Sequence, residues 1–269
     1  MSEPEIHPTA IVEPGARLGA DVRVGPYCVI AANAELGAGC RLQHHVTIEG
    51  PTVIGAENVF YAYASIGQQT QDLKYRGEPT YLRIGDGNTF RESVTVHRGT
   101  APDSWTVIGN RGNFLAYSHV AHDCVVGDGV IFSNNGTIAG HVEVHDYAVI
   151  GGLTAIHQYC RIGRHAITGG CSKIVQDVPP FMIADGNPAI VRGINQVGLE
   201  RHGFDEESIR RLREAYRLLY RSKLNVKQAV QEIRKTLGDA AEIVQLVEFI
   251  ESSGRGIIRR HVRGAGAEE

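Results

Sequence analysis

Every sixth residue of this chain is aliphatic or phenylalanine over most of its length, and few folds can use such a period. The series runs from Ile6, Val12 and Leu18 through Ile54, Phe60 and Ile66, resumes at Ile84, Phe90 and Val96, and continues from Ile108 to Ile162 and Ile174. Only Thr168 is polar within that last stretch. A period of six fits neither the 3.6-residue turn of a helix nor the two-residue alternation of a strand. It fits a chain winding as short parallel strands around a three-sided prism, one inward side chain per face and about 18 residues per coil. The residue two positions earlier is small, as at Cys28, Ala34, Cys40, Ala64, Ser118, Cys124 and Cys160, which suits a tapering interior. Glycine often follows the apolar position, as at Gly37, Gly109 and Gly127, and is expected there because corners demand permissive backbone rather than as a phosphate loop. At the spacing of parallel strands, about 4.8 Å, a little under nine coils make a column roughly 40 Å long.

Two stretches leave the pattern, 67–83 and 97–107, where Asp72, Glu78 and Pro102 stand at apolar positions. Loops that interrupt a solenoid commonly line its binding face, although a plain surface excursion would look the same in sequence. The first holds Gln71-Asp72-Leu73-Lys74-Tyr75-Arg76, cationic and hydrogen-bonding groups suited to a polar, phosphate-bearing ligand. How much chain each loop takes out of the column cannot be read from the spacing.

After the last hexad, Val178-Pro179-Pro180 and Asn187-Pro188 predict an irregular link, because proline cannot donate to a strand ladder. Asp205-Glu206-Glu207 then opens the first of three amphipathic helices, with apolar residues at Ile209, Leu212 and Leu219, at Val226, Val230 and Ile233, and at Ile243, Leu246 and Ile250. The expected organisation is a β-solenoid domain over 1–195, a small helical domain over 196–262 and a disordered tail over 263–269. An open solenoid end needs covering, which is the plain role for the helices; binding a partner is the sharper one.

Composition narrows the class further. The 269 residues are 42% hydrophobic with a net charge of only -3, so no nucleic-acid partner is expected. About half of the 27 Lys and Arg lie after residue 200, with Arg210, Arg211, Arg213, Arg217 and Arg221 close together. Such a cluster suits an acidic protein or phosphate partner, although a solvated helix face is the more common explanation for Arg-rich runs. Four of the five cysteines sit at the small interior position and are expected to be packing residues; no run is long and apolar enough for a membrane span. A cytoplasmic protein is expected.

Chemistry concentrates in four of the 12 histidines: His119, His122, His141 and His157. A single coil step carries His122 onto Gly140, whose neighbour is His141, while His157 lies nearly one coil beyond. An imidazole there could take a proton from a hydroxyl, with Asp123 beside it to orient the ring, and a bare Gly140 N–H could stabilise an oxyanion. Three imidazoles meeting between subunits could instead hold zinc, although no Cys or carboxylate ligand spacing accompanies them.

The hexad rod, Gln71 to Tyr75, Arg91 to Thr100, His119-Val120-Ala121-His122-Asp123-Cys124 and Gly169-Gly170-Cys171 together resemble the UDP-N-acetylglucosamine O-acyltransferases of lipid A biosynthesis, over about residues 6–260. The resemblance implies a left-handed parallel β-helix and a cofactor-free, metal-free homotrimer with active sites between neighbouring rods. It implies transfer of an (R)-3-hydroxyacyl group from acyl carrier protein to the sugar 3-hydroxyl, with His122 as general base and Gly140 as oxyanion donor. Gln71, Asp72, Lys74, His141, His157 and Gln158 match positions that hold the nucleotide sugar and the polar head of the acyl chain. Asn195 and Arg201 match positions reaching the nucleotide, and His97 and His119 match further active-site positions. Gly170 matches the position limiting acyl length, so longer chains are expected. Pro188 stands where many relatives carry histidine, which unsettles any contact carried over to that position. An N-acyltransferase of the same pathway is the nearest rival, but it normally carries a nucleotide-binding domain before the rod, where this chain begins its hexads at residue 6. A coenzyme A-dependent acetyltransferase, a trimeric zinc carbonic anhydrase and a non-catalytic scaffold stand further off.

Overall fold

The computed structural model describes residues 2–259, so the expected tail at 263–269 and the end of the helical domain at 262 lie outside the described residues. Short strands, most of them spanning only a pair of residues, form three sheets of 11, 9 and 8 strands that make the faces of a left-handed parallel β-helix. Partners on adjacent coils are three hexads apart, as in Ile6↔Val24 and Val126↔Val144. The hexad residues point inward and are buried from Val24 onward. On one face Phe60, Phe90, Phe114 and Phe132 stack with ring centroids 5.0, 4.8 and 5.0 Å apart. Thr168 fits the interior because its hydroxyl accepts the Gly151 N–H at 2.9 Å. Cys28, Cys40, Cys124 and Cys160 are buried and free, and Cys171 is exposed.

The register answers what the spacing left open. Across the first loop the partners are five hexads apart rather than three, as in Phe60↔Phe90, so this loop takes two hexads' worth of chain out of the column. Across the second they are four hexads apart, as in Val96↔Val120, so it takes out one. The irregular segments are shorter than the broken hexads indicate, because the ladder includes Ser65–Gln68, Tyr81–Ile84, Thr95–His97 and Trp105–Ile108. The two loops are tied together: Gly99 N–H donates to the Tyr81 carbonyl and Asp103 N–H to that of Pro79.

The glycines have a different cause from the one expected. The left-handed corner positions are mostly not glycine; Tyr27, His45, Tyr63, Tyr117, Asp123, His141 and Tyr159 occupy them with φ near 60°. Gly109, one of the glycines that follow an apolar residue, is required by crowding, since a Cβ there would lie 2.8 Å from the Gly127 carbonyl carbon of the next coil.

At the C-terminal end the expected irregular link is a strand pair. Met182–Gly186 continues one face in parallel with Ile167–Thr168, then turns through Asn187-Pro188 to an antiparallel partner, Ala189–Ile194. The proline sits in the turn, where no ladder donor is needed. Among the described residues four helices follow: α1 Gln196–Arg201, α2 Glu206–Tyr220, α3 Val226–Leu237 and α4 Ala241–Glu251. The sequence periodicity missed α1, which is too short to show one. Asp205 caps α2 by accepting the Ser208 N–H, and Asn225 with Gln228 forms a reciprocal capping box on α3. The apolar faces of the helices join the core of the last coils in one continuous cluster.

Arg161 and Asp177 fasten α4 to the rod. Arg161 Nε donates to Asp177 Oδ2 at 3.1 Å, its Nη2 to the Phe249 carbonyl at 2.7 Å, and its guanidinium lies over the Phe249 ring. Asp177 Oδ2 also accepts the Ser253 hydroxyl at 2.7 Å.

Candidate active site

One edge of the prism carries both loops and three stacked corner residues in the left-handed region: Asp123, His141 and Tyr159, with φ of 58°, 60° and 63°. Left-handed backbone turns each of these side chains out of the edge. The preceding residues, His122, Gly140 and Gln158, lie one above another at the coil repeat, and Ala139 and His157 stand one position earlier.

His122 and Asp123 form a dyad. His122 Nδ1 lies 2.8 Å from Asp123 Oδ2, and since an ionised carboxylate can only accept, Nδ1 carries the proton and Nε2 is left as the free base. Burial pushes the Asp123 carboxyl up, but the hydrogen bonds from His122 and from the Thr100 N–H outweigh it and hold it below its ordinary value. The Asp123 N–H donates to Thr106 Oγ1 at 2.8 Å, which fixes the backbone of the corner. Both side chains are largely sheltered, 14% and 8% exposed.

Gly140 completes the arrangement. A Cβ built on it would lie 2.5 Å from His122 Nε2, so any side chain would displace the ring. Its carbonyl accepts from Tyr159 N–H, while its own N–H makes no intrachain hydrogen bond among those of the described residues. A free amide donor beside a free imidazole nitrogen suits acyl transfer: the nitrogen takes a proton from the attacking hydroxyl while the amide meets the oxygen that gains charge.

The other histidines divide by environment. His141 crosses the His122 ring edge-on at 5.2 Å, stacks on Tyr159 at 4.6 Å, and brings Nε2 to 3.8 Å from Asp123 Oδ2. His119, held by a 2.7 Å hydrogen bond between Nδ1 and Thr95 Oγ1, packs against His97 with centroids 4.8 Å apart. Burial drives His97 down to about 4, helped by the nearby His119 and His122, and burial with His122 also lowers His119. Both are therefore neutral at pH 7 and can offer either a donor or an acceptor. His157 is exposed, with Nδ1 3.1 Å from the Gln158 carbonyl.

The remaining expected residues are more dispersed. Gln71, Asp72 and Lys74 sit in the first loop, where Asp72 Oδ1 accepts the Lys74 N–H at 2.9 Å. Gly170 lies on the surface, and a Cβ there would touch only the Gly152 carbonyl oxygen, at 3.5 Å, so the strip outside it is open. Arg201 ends α1 and is exposed. Asn195 is buried; its side chain caps α1 by accepting the Gly198 N–H and donates to the His165 carbonyl, so a structural duty accounts for it.

His122, Asp123 and His141 bring two imidazoles and a carboxylate within 4.8 Å, a set that could hold a divalent cation and that includes a carboxylate the sequence spacing did not suggest. Sequence reasoning also missed Thr100 and Thr106, which hydrogen-bond to Asp123, and Thr70 behind Thr100; they lie in or beside the loops, and only the register of the coils brings them there.

A family model described as UDP-N-acetylglucosamine O-acyltransferase, domain 2, matches residues 177–258. The acyl-[acyl-carrier-protein]--UDP-N-acetylglucosamine O-acyltransferase of Thermodesulfovibrio yellowstonii is 50% identical over 256 residues, covering 95% of this chain and 99% of the relative. Among solved structures, the UDP-N-acetylglucosamine O-acyltransferase of Moraxella catarrhalis is similar with a TM-score of 0.90 at 44% identity, covering 94% of this chain and 99% of that one. The UDP-N-acetylglucosamine acyltransferase of Bacteroides fragilis is similar with a TM-score of 0.92 at 36% identity, covering 94% and 100%.

Proposed function

The chain belongs to the UDP-N-acetylglucosamine O-acyltransferase family, and on that footing we propose a mechanism for its edge of histidines. The enzyme transfers an acyl group from acyl carrier protein to UDP-N-acetylglucosamine. In the proposed reaction His122 Nε2 takes the proton of the sugar 3-hydroxyl, and the oxygen attacks the thioester carbonyl of an (R)-3-hydroxyacyl donor. The carbonyl oxygen becomes an oxyanion that accepts a hydrogen bond from the Gly140 N–H. As the carbonyl reforms, the C–S bond breaks and the carrier thiolate takes back the proton from the His122 imidazolium. Asp123 keeps the imidazole in the tautomer that leaves Nε2 free and supports its positive charge. No covalent enzyme intermediate is needed.

The observation that carries this reading is the free Nε2 of His122 beside the unengaged Gly140 amide. Gln71, Asp72 and Lys74 are assigned to the nucleotide sugar, with His97 and His119 neutral beside the base; His141, His157 and Gln158 are assigned to the sugar and the acyl head group. Arg201 is assigned to the nucleotide phosphates, and Asn195 acts by seating α1, which carries Arg201. Gly170 leaves the acyl strip open for long chains.

The site is proposed to be completed by neighbouring copies in a homotrimer. Large apolar residues are exposed in the first loop and on the edges, with Leu73 91%, Leu153 63% and Tyr159 52% exposed, and neighbouring rods would cover them. The solenoid domain over 1–195 is assigned the chemistry and the helical domain from 196 the carrier protein, whose acidic surface suits the Arg cluster of α2. Among the described residues no helix is long and apolar enough to cross a membrane, and dependence on acyl carrier protein suits a cytoplasmic enzyme. An amino acceptor or a zinc hydrase is not favoured, because the full-length relatives are O-acyltransferases by name.

The test is mass spectrometry of products formed from UDP-N-acetylglucosamine and carrier proteins bearing 3-hydroxyacyl chains of graded length. A mono-O-acylated sugar nucleotide, formed fastest from the longer donors, is expected. No product from any donor would overturn the reading.

A further inference from the structure

The two loops that leave the column meet at one buried hydroxyl. Thr70 is 5% exposed, and its Oγ1 accepts both the Asp72 N–H at 3.0 Å and the Thr100 hydroxyl at 2.7 Å. The Thr100 N–H in turn donates to Asp123, 3.1 Å from Oδ2 and 3.3 Å from Oδ1. Asp123 Oδ2 accepts from His122 at 2.8 Å. Hydrogen bonds, joined through the covalent frame of Thr100, therefore link the backbone of Asp72, in the first loop, to the His122 imidazole. Thr70 and Thr100 come from different coils and stand five hexads apart in sequence, the register offset that the first loop creates.

We infer that Thr70 and Thr100 are positioning residues that couple seating of the nucleotide sugar in the first loop to the orientation of the His122–Asp123 dyad. A threonine that merely closed a turn would need one local partner. Thr70 instead joins its own turn to the second loop, and Thr100 spends its hydroxyl on one loop and its amide on the catalytic carboxylate. Movement of residues 70–74 on binding the sugar must shift Thr100 or break the Thr100–Thr70 bond, and either change reaches Asp123. The inference rests on His122 as the base.

Thr70→Val keeps the shape of the side chain but removes the acceptor. One ordinary hydrogen bond corresponds to a loss of up to about tenfold. The expected result for the full-length enzyme is a fall in kcat of about that size, with KM for UDP-N-acetylglucosamine changing less. A loosened Thr100 amide leaves more of the Asp123 charge to His122, so the acidic limb of the kcat profile should move to higher pH. The titratable groups facing the dyad are His141, 3.8 Å from Asp123, and His119 and His97 from the neighbouring strands; all are unchanged in the variant. Thr70→Ser should restore both kcat and the limb. Thr100→Val removes only the Thr100–Thr70 bond, whereas Thr70→Val also frees the Asp72 N–H, so Thr100→Val should shift the limb in the same direction and the double variant should be no worse than Thr70→Val. A Thr70→Val enzyme that loses only KM with an unmoved limb, or additive effects in the double variant, would overturn the coupling. If Thr70→Val fails to fold, Thr100→Val alone decides: a lower kcat with a shifted limb supports the inference and an unaltered profile overturns it. Retained turnover in His122→Ala would remove the underlying assignment of the base, an outcome distinct from any of these.

Discussion

Two edges of the prism carry the same kind of backbone and the same kind of stack. On one, His141 lies flat on Tyr159 with centroids 4.6 Å apart and planes 7° apart; on the other, His165 lies on Tyr147 at 5.0 Å and 11°. All four residues are left-handed, with φ between 54° and 63°. What differs is the covering. His165 is enclosed by Phe181, His202 and Phe204, is 3% exposed, and is driven by burial down to about 4. The side chain of His141 is 37% exposed and looks onto the Asp123 carboxylate and the His122 ring. The corner slot presents a histidine; what lies above it, the segment running from the last strands to α2 or an open edge, decides whether the histidine holds the fold or serves chemistry. Substitutions on the covered edge should therefore register in stability and those on the open edge in turnover.

The strongest test that leaves every catalytic side chain in place is Gly140→Ala. The amide donor survives, but the methyl group displaces the His122 ring, and a displacement of about 1 Å from the productive geometry can cost on the order of 100-fold. Steady-state kinetics should show that loss in kcat, with the melting temperature reduced far less.

Arg161→Met acts near the covered edge. It leaves Asp177, 1% exposed as a side chain, without its charged partner, though still hydrogen-bonded to the residue-161 N–H and Ser253, and removes the anchor of Phe249. Breaking a buried pair from one side typically costs about 3–5 kcal/mol, which denaturant unfolding would detect, and hydrogen exchange should rise first in α4.

His165→Phe probes the covered edge through pH. A histidine whose folded value is about 4, against 6.5 unfolded, takes up protons on unfolding throughout that interval. Wild-type stability should therefore fall as pH drops from about 6.5 towards 4 and be unaffected by this group above that window. Phenylalanine retains the stack without the proton, so thermal melts of the variant should be flatter across that interval; His97, lowered to about 4 as well, should leave a residual slope.

The smallest effect on the fold is expected from Gly170→Met, because a side chain there enters open space. Melting should be unchanged within about 0.5 kcal/mol, while competition between donors should shift toward shorter chains by about tenfold, since each methylene in an apolar site is worth about that much.

Much of this was legible in the sequence because a solenoid repeats its packing. Each hexad position meets the same interior, so Ile30, Val120 and Ile156 could be placed inward without knowing their neighbours, and within the uninterrupted coils a single coil step brought His122 to Gly140. The Phe60 to Phe132 stack was not legible, because it depends on how much chain the loops remove. The same gap hid Thr70 and Thr100, which only the register offset of the first loop brings together. Glycine's role was misplaced because crowding between coils and left-handed backbone leave the same mark in a sequence. The capping duty of Asn195 went unseen because α1 is too short to have an apolar period that would reveal it.

In the proposed mechanism His122 supplies the base while the rest of the edge positions it. His122→Ala should be assayed for product formation by mass spectrometry beside the native enzyme, with melting and circular dichroism as controls. The expected result is an unchanged fold and a turnover lower by about 100- to 10,000-fold. Near-native turnover in a folded His122→Ala enzyme would contradict that role.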